Sequence, residues 1–396
     1  MVRKDFFIVF ILLFNAITWL YMIIVMIENV LSSLNVGYTQ SLIIWTTYYV
    51  TLIGSGIAGS ILSKKINRLI FLYLWMILGA VTSLLPVMLG VSTVIHALII
   101  SILLGVSSGL GIPSCWAYFA DHTLVENRGR IGGIILFVAN LSAPFLVIPF
   151  KTFNLMVNSI FFALWRGFGL TIFLLKPKEK IASKMDVSFT SIFHDKSFTL
   201  YFIAWLMFCL VDRFERPILG YFLSEFHFLV IGVITASISA LIGGILCDWV
   251  GRKRIVLYGF AALGIAYAII SIAPAMAISW YFYLTVESIS TGILWVIFFL
   301  IVWGDLSQLG TREKYYVIGA IPLYLTNIIQ LLSAPYVGLI PEANAFSLAS
   351  FFLFLAVLPL LYAPETLPEK KIELRRLRKY AEKAKKVREK FAERES

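Results

Sequence analysis

The chain is short of charge. Only 14% of its 396 residues are Asp, Glu, Lys or Arg, where a soluble globular chain carries about 25%. Cysteine is scarce as well. Cys115, Cys209 and Cys247 all fall inside apolar stretches and none stands in a C-x-x-C spacing, so neither a disulfide framework nor a zinc site is supported. No Gly-x-x-x-x-Gly-Lys-Ser/Thr loop occurs, and that leaves ATP drive within the chain unsupported. The loops are short. The clustered acid, histidine or metal centre of a membrane-embedded enzyme has little room, and Asp121-His122 is the nearest approach to one. Nothing in the pattern asks for a metal or a cofactor.

Apolar residues are plentiful: they make up 60% of the chain. A hydrocarbon core about 30 Å thick needs roughly 20 apolar residues per helix. Twelve such runs lie near 6–28, 41–62, 69–89, 92–119, 131–150, 152–175, 198–224, 228–247, 254–274, 278–303, 315–338 and 343–363, with the joint at Phe150–Lys151 the least sharply marked. Barrel strands are short and alternate, so continuous runs of this length exclude them. The first run is too long for a signal-peptide core and lacks a small-residue cleavage site.

Charge placement tests the count, because cytoplasmic loops are enriched in Lys and Arg. Of the 33 basic residues, 29 fall in the N-terminus, the even-numbered loops and the tail; only Lys151 lies on the other side. Both termini are therefore expected in the cytoplasm. The expected fold is an all-α membrane protein of twelve transmembrane helices. A loop at 176–196 divides them into a bundle at 6–175 and a bundle at 197–364. The tail at 365–396 is basic, with an apolar helical stripe through Leu374, Leu377, Tyr380, Ala381, Ala384, Val387 and Phe391. It suits either an anionic lipid surface or a solvated helix that enforces orientation. Nucleic-acid binding is disfavoured, since the charge follows the topology.

The halves echo each other. Asp121 and Arg128 stand seven apart after the fourth run, and Asp305 and Arg312 stand seven apart after the tenth, at an offset of 184. The segment Gly59–Arg68 after the second run corresponds to Gly244–Lys253 after the eighth at an offset of 185, and Leu-Ser-Ala-Pro occurs at 141–144 and 332–335. Three correspondences in chain order point to an internal duplication.

On these motifs the chain resembles the major facilitator superfamily. Gly244-x-x-x-Asp248-x-x-Gly251-Arg252-Lys253 matches that family's loop motif, with Arg128-Gly129-Arg130 and Pro364-Glu365-Thr366 as further landmarks. The resemblance covers about residues 6–366. It implies two pseudo-symmetric six-helix bundles around a midplane cavity, and a latch on the cytoplasmic side that closes when the carrier faces outward. Gly244 permits close backbone approach and Gly251 a tight turn. Asp248 can face a helix N-terminus or pair with Arg252, and Lys253 holds the loop at the basic side. Gly132 and Gly133 leave room for the opposing helix. Asp121, Arg128, Asp305 and Arg312 are the remaining latch candidates. The first copy of the motif carries Ser63, Ile66 and Asn67 where the family has an acid, a glycine and an arginine, so the latch is expected to rest on Asp248.

Ionisable side chains within apolar spans are functional candidates by default. Glu28 lies near an outer end and is expected to reach the interface. Glu287 lies near the midplane beside Ser288, Ser290, Thr291 and Gly292, where it suits carrying a proton. The seventh run holds Asp212, Arg213, Glu215 and Arg216 before Pro217; Asp212 and Arg216 are one turn apart, and Pro217 frees a backbone carbonyl. This cluster is expected in the outer half, as part of the site or as an outer gate. Arg166 suits an anionic solute or pairing with one of the acids. Asn15, Asn140 and Asn327 offer hydrogen bonds to a polar solute or to neighbouring helices.

The expected function is alternating-access transport of a small polar or charged solute, coupled to protons, by a monomer in the cell membrane. Efflux by antiport is the second reading; a membrane-embedded transferase or a sensor belongs to another class.

Overall fold

A computed structural model describes residues 3–180, 187–223, 226–337 and 339–368. The apolar stripe expected in the tail lies outside the described residues. All regular structure among the described residues is helical. We label the long helices α1 (Arg3–Leu34), α2 (Tyr38–Lys65), α3 (Arg68–Ser83), α4 (Val94–His122), α5 (Val125–Thr152), α6 (Leu155–Phe168), α7 (Lys196–Leu223), α8 (Phe226–Val250), α9 (Arg252–Ile272), α10 (Ala277–Trp295), α11 (Arg312–Val337) and α12 (Glu342–Tyr362). Eleven helical stretches among the described residues are long and apolar enough to cross a membrane. The exception is α3, which has 16 residues and yields at Leu84 to a separate turn, Leu85–Leu89, with Pro86 near its start. Proline cannot continue the preceding helix without losing a hydrogen bond, so the expected run at 69–89 is two pieces.

Local chemistry sets the boundaries. Asn67 caps α3 through bonds from the Leu69 and Ile70 amides, Thr93 caps α4 through the His96 amide, and Asn154 caps α6 through the Val157 amide. The last of these fixes the joint between the fifth and sixth runs a few residues beyond Phe150–Lys151. Gly251 turns α8 into α9 with φ of +114°, a conformation that glycine adopts without penalty. Two helices continue in altered form. From α6 the chain runs into a 3₁₀ segment, Gly169–Leu175, and from α10 into a π-helical segment, Val296–Ile301, and a final turn, Val302–Leu306. The loop expected at 176–196 contains a short helix, Phe189–His194.

In the first half α4 is central: α1, α2 and α3 pack on it, and α6 covers α1 and α3. In the second half α12 covers α7 and α9, and α10 packs between α8 and α9. The halves meet through α5 against α8 and through α2 and α4 against α11. The fully buried indoles Trp19, Trp116, Trp205 and Trp303 fill the interior. All three cysteines are buried and free, as packing residues should be.

Candidate functional site: a carboxylate cavity and two ion-pair networks

A cavity of about 350 Å³ lies between α7, α8 and α10. Its polar lining is Asp212, Glu215, Arg216, Glu287, Ser288 and Thr291; Ile231, Val233 and Leu284 supply an apolar wall. Asp212 Oδ2 lies 3.5 Å from Arg216 Nη2 and 3.3 Å from Arg213 Nε. The pairing expected one turn apart on α7 is therefore present, and Arg213 joins it. The Tyr283 hydroxyl donates to Glu215 Oε2 at 2.7 Å. Glu287 accepts from Thr291 Oγ1 at 2.9 Å and from Ser288 Oγ at 3.4 Å. Asp212, Glu215 and Glu287 each bring an oxygen within 4.8 Å of the other two. Three carboxylates at that spacing can share a proton or enclose a cation.

The sequence reading set Glu287 apart from the α7 cluster by depth; the fold joins them. Asp212 lies eleven residues before the end of α7, and Glu287 ten residues after the start of α10. Both helices have that terminus on the same side, so the two acids come level.

Arg166 departs from both of its expected roles. It meets no acid and does not line the cavity. It is fully buried, with its guanidinium 4.3 Å from the Trp19 ring centre and 4.0 Å from that of Trp75, and Nη1 donates to Asn15 Oδ1 at 2.8 Å. Asn15 is consumed there, since its Nδ2 donates to the Trp165 carbonyl at 2.7 Å. Asn140 accepts from the Tyr21 hydroxyl at 2.7 Å, and Asn327 donates to the Leu323 carbonyl one turn back at 2.6 Å. The three asparagines join helices or bond their own; none lines the carboxylate cavity. Glu28 is exposed, as expected of an interfacial acid.

At the end of the molecule that carries the basic loops, two ion-pair networks cross between the halves. In one, Asp305 pairs with Arg128 and lies 2.7 Å from Arg252 Nε, while Thr366 adds a hydroxyl at 3.3 Å. Asp248 accepts from the Gly129 and Arg130 amides at 3.0 and 2.8 Å and lies 3.2 Å from Arg252 Nη2. It thus makes both contacts considered for it. Glu365 caps α9 through the Arg252 amide at 2.8 Å and the Lys253 amide at 3.2 Å, and Lys253 Nζ reaches the Leu361 carbonyl at 2.7 Å. A Cβ on Gly244 would collide with the Gly129 carbonyl and lie 3.0 Å from the Gly133 Cα, so α5 and α8 touch backbone to backbone. Gly132 instead faces Leu300.

The other network corrects the expectation for the first motif copy. Asp121 pairs with Arg68 and, at 2.6 Å, with Arg312; Arg68 also pairs with Glu313 across the halves. Arg68 stands at the offset of 184 from Arg252, so the corresponding arginine is Arg68 rather than the position of Asn67. Asp121 sits in the last turn of α4, buried, rather than in a loop. Arg68, Glu313 and Glu365 are the site residues that sequence reasoning passed over. Applying the Asp121–Asp305 offset to the motif loop would have found Arg68; no local signal marks Glu313.

With this geometry in place, comparison with known proteins is informative. No family sequence model matches the chain, and no curated protein matches it in sequence. Solved structures do. The human organic anion transporter MFSD10 (TETRAN) aligns with a TM-score of 0.68 at 14% identity, over 90% of this chain and 99% of its own. The proton:xylose symporter XylE, solved with 6-bromo-6-deoxy-D-glucose, aligns with a TM-score of 0.65 at 14% identity, over 92% of this chain and 96% of its own. The chain has the fold of the major facilitator superfamily transporters.

Proposed function

We propose that the chain is a secondary active carrier that moves a small polar or charged solute by alternating access, coupled to protons. The observation that carries this reading is the cavity between α7, α8 and α10, where Asp212, Glu215 and Glu287 converge on membrane-length helices. Buried ionisable groups are costly in lipid and mark solute or ion paths. The fold shared with MFSD10 and XylE supports the class. Asp212, Arg213, Glu215, Arg216 and Glu287 form the solute and proton site, with Glu287 as the proton carrier. Three acids facing the guanidinium of Arg216 favour a solute with a basic group over an organic acid or a sugar.

In this reading α3 with the turn after it completes twelve crossings, and both termini lie in the cytoplasm of a cell with the protein in its plasma membrane. Residues 6–175 and 197–364 form two pseudo-symmetric bundles, supported by the equivalent pairings of α5 with α8 and α2 with α11. The stretch 176–196 links them, and 365–396 is a cytoplasmic tail. Asp121, Arg128, Asp248, Asp305 and Arg312, with Gly244, Gly251, Arg252 and Lys253, act as the cytoplasmic latch, to which Arg68, Glu313 and Glu365 belong. Closed ion pairs there, with a cavity away from them, correspond to an outward-facing state of a monomer.

The test is a thermal-shift screen of amines, amino acids, sugars and organic acids on purified protein, followed by counterflow of each hit in liposomes. Counterflow of a stabilising solute supports the carrier; conversion of the solute to product without flux supports a membrane enzyme and overturns it.

A further inference from the structure

We propose that His122 is a pH-dependent fastener, which in its imidazolium form pins the inter-bundle linker to the end of α4 and releases it as the pH on that side rises. His122 Nδ1 lies 2.9 Å from the Tyr118 carbonyl oxygen, and Nε2 lies 2.9 Å from the Lys178 carbonyl oxygen. Carbonyl oxygens accept hydrogen bonds and donate none. A neutral imidazole has a single N–H, so in that form one ring nitrogen turns a lone pair toward an oxygen lone pair. The imidazolium donates to both, and its bonds are charge-assisted. The ring cannot easily turn away, because it stacks on Tyr118 with 3.9 Å between centres.

The charged groups around this corner come from every adjoining element. The linker supplies Lys178, Glu179 and Lys180, α4 supplies Asp121, the start of α1 supplies Asp5, and the start of α3 supplies Arg68. Beyond Asp121 stand Arg312 and Glu313 on α11. Histidine is the side-chain type whose charge changes near neutrality. The docked linker favours the protonated ring, so docking is complete at low pH and is lost as the pH rises through the ring's titration. The Tyr118 hydroxyl at 3.3 Å from the Lys178 carbonyl, and Lys180 on the Asp121 carbonyl, keep the linker from leaving altogether.

Lys180 touches the residue whose carboxylate holds Arg68 and Arg312, so the fastener straps one of the two ion-pair networks. That the sensed compartment is the cytosol rests on the orientation proposed above. There, a carrier that brings protons in would tighten its own strap as the cytosol acidifies.

Hydrogen exchange of the Lys176, Lys178, Glu179 and Lys180 amides, in the full-length protein in lipid nanodiscs, tests this without any transport assay. Rates at about pH 6 and about pH 8 are compared after correction for intrinsic exchange. Losing one charge-assisted bond predicts about tenfold lower protection at the higher pH. His122→Gln should remove that dependence, and His194→Gln, in the same linker, should keep it. Equal protection at both pH values in the unaltered protein overturns the proposal, whether or not His122→Gln folds. A drop that persists in His122→Gln overturns it as well. A failed solute screen would leave these outcomes as they stand, because linker exchange does not depend on transport.

Discussion

The two halves are alike at the end that carries the basic loops and unlike within their helices. Asp121 and Asp305 each hold two arginines, one from the same half and one from the opposite half: Arg68 and Arg312 for Asp121, Arg252 and Arg128 for Asp305. Deeper in, the first half has a lone guanidinium, Arg166, enclosed by two indoles, whereas the second half has three carboxylates and two arginines at a cavity. A duplicated chain has kept its symmetry where the halves touch and lost it where one half alone faces solute. Even the networks differ in detail. Asp248 binds backbone amides across the interface, while its counterpart acid in the first network, Glu313, comes from the opposite half and binds a side chain.

Four substitutions sharpen that contrast. Glu287→Gln strikes the diverged half and should have the largest effect: solute accumulation driven by a pH gradient falls to the level of empty liposomes, while counterflow persists. Unchanged accumulation would remove Glu287 from the coupling. Next comes Asp305→Asn, which leaves Arg128 and Arg252 short of a buried partner. Breaking a buried ion pair costs roughly 3–5 kcal/mol, so denaturant or thermal unfolding in detergent should show a large loss, and Asp121→Asn should match it if the networks are equivalent. Gly244→Ala is expected to cost about 1–3 kcal/mol by forcing α5 and α8 apart; the same loss from Gly132→Ala would mean the contact has been misplaced. Smallest is Arg166→Lys, which replaces a planar guanidinium between two indoles with an ammonium. A loss of about 1–2 kcal/mol in stability with coupling intact marks it as a packing residue; loss of coupling with stability intact would return it to the solute path.

Much of this was legible in the sequence for physical reasons that can be named. The apolar runs and the alternation of basic loops reflect the cost of charge in lipid, and they located the helices to within a turn or so. The Gly244–Lys253 motif identified a close helix contact because only glycine admits it. The site was harder to read. Asp212 and Glu287 are 75 residues apart, and their level in the membrane depends on where α7 ends and α10 begins, which hydropathy leaves uncertain by a turn. Arg166 looked like a ligand because charge in a span suggests function, and its tryptophan neighbours on α1 and α3 are not visible along the chain. Glu313 was passed over because an acid in the first turn of a helix is common and needs no partner to explain it.

The central claim is that the halves rock about a cytoplasmic end closed by these ion pairs. It is tested most directly by the distance between spin labels on the basic-loop ends of α4 and α10, measured in lipid. Two populations are predicted, the shorter dominant in the unaltered protein and the longer dominant after Asp305→Asn. A single distance, the same in both proteins, would contradict the account.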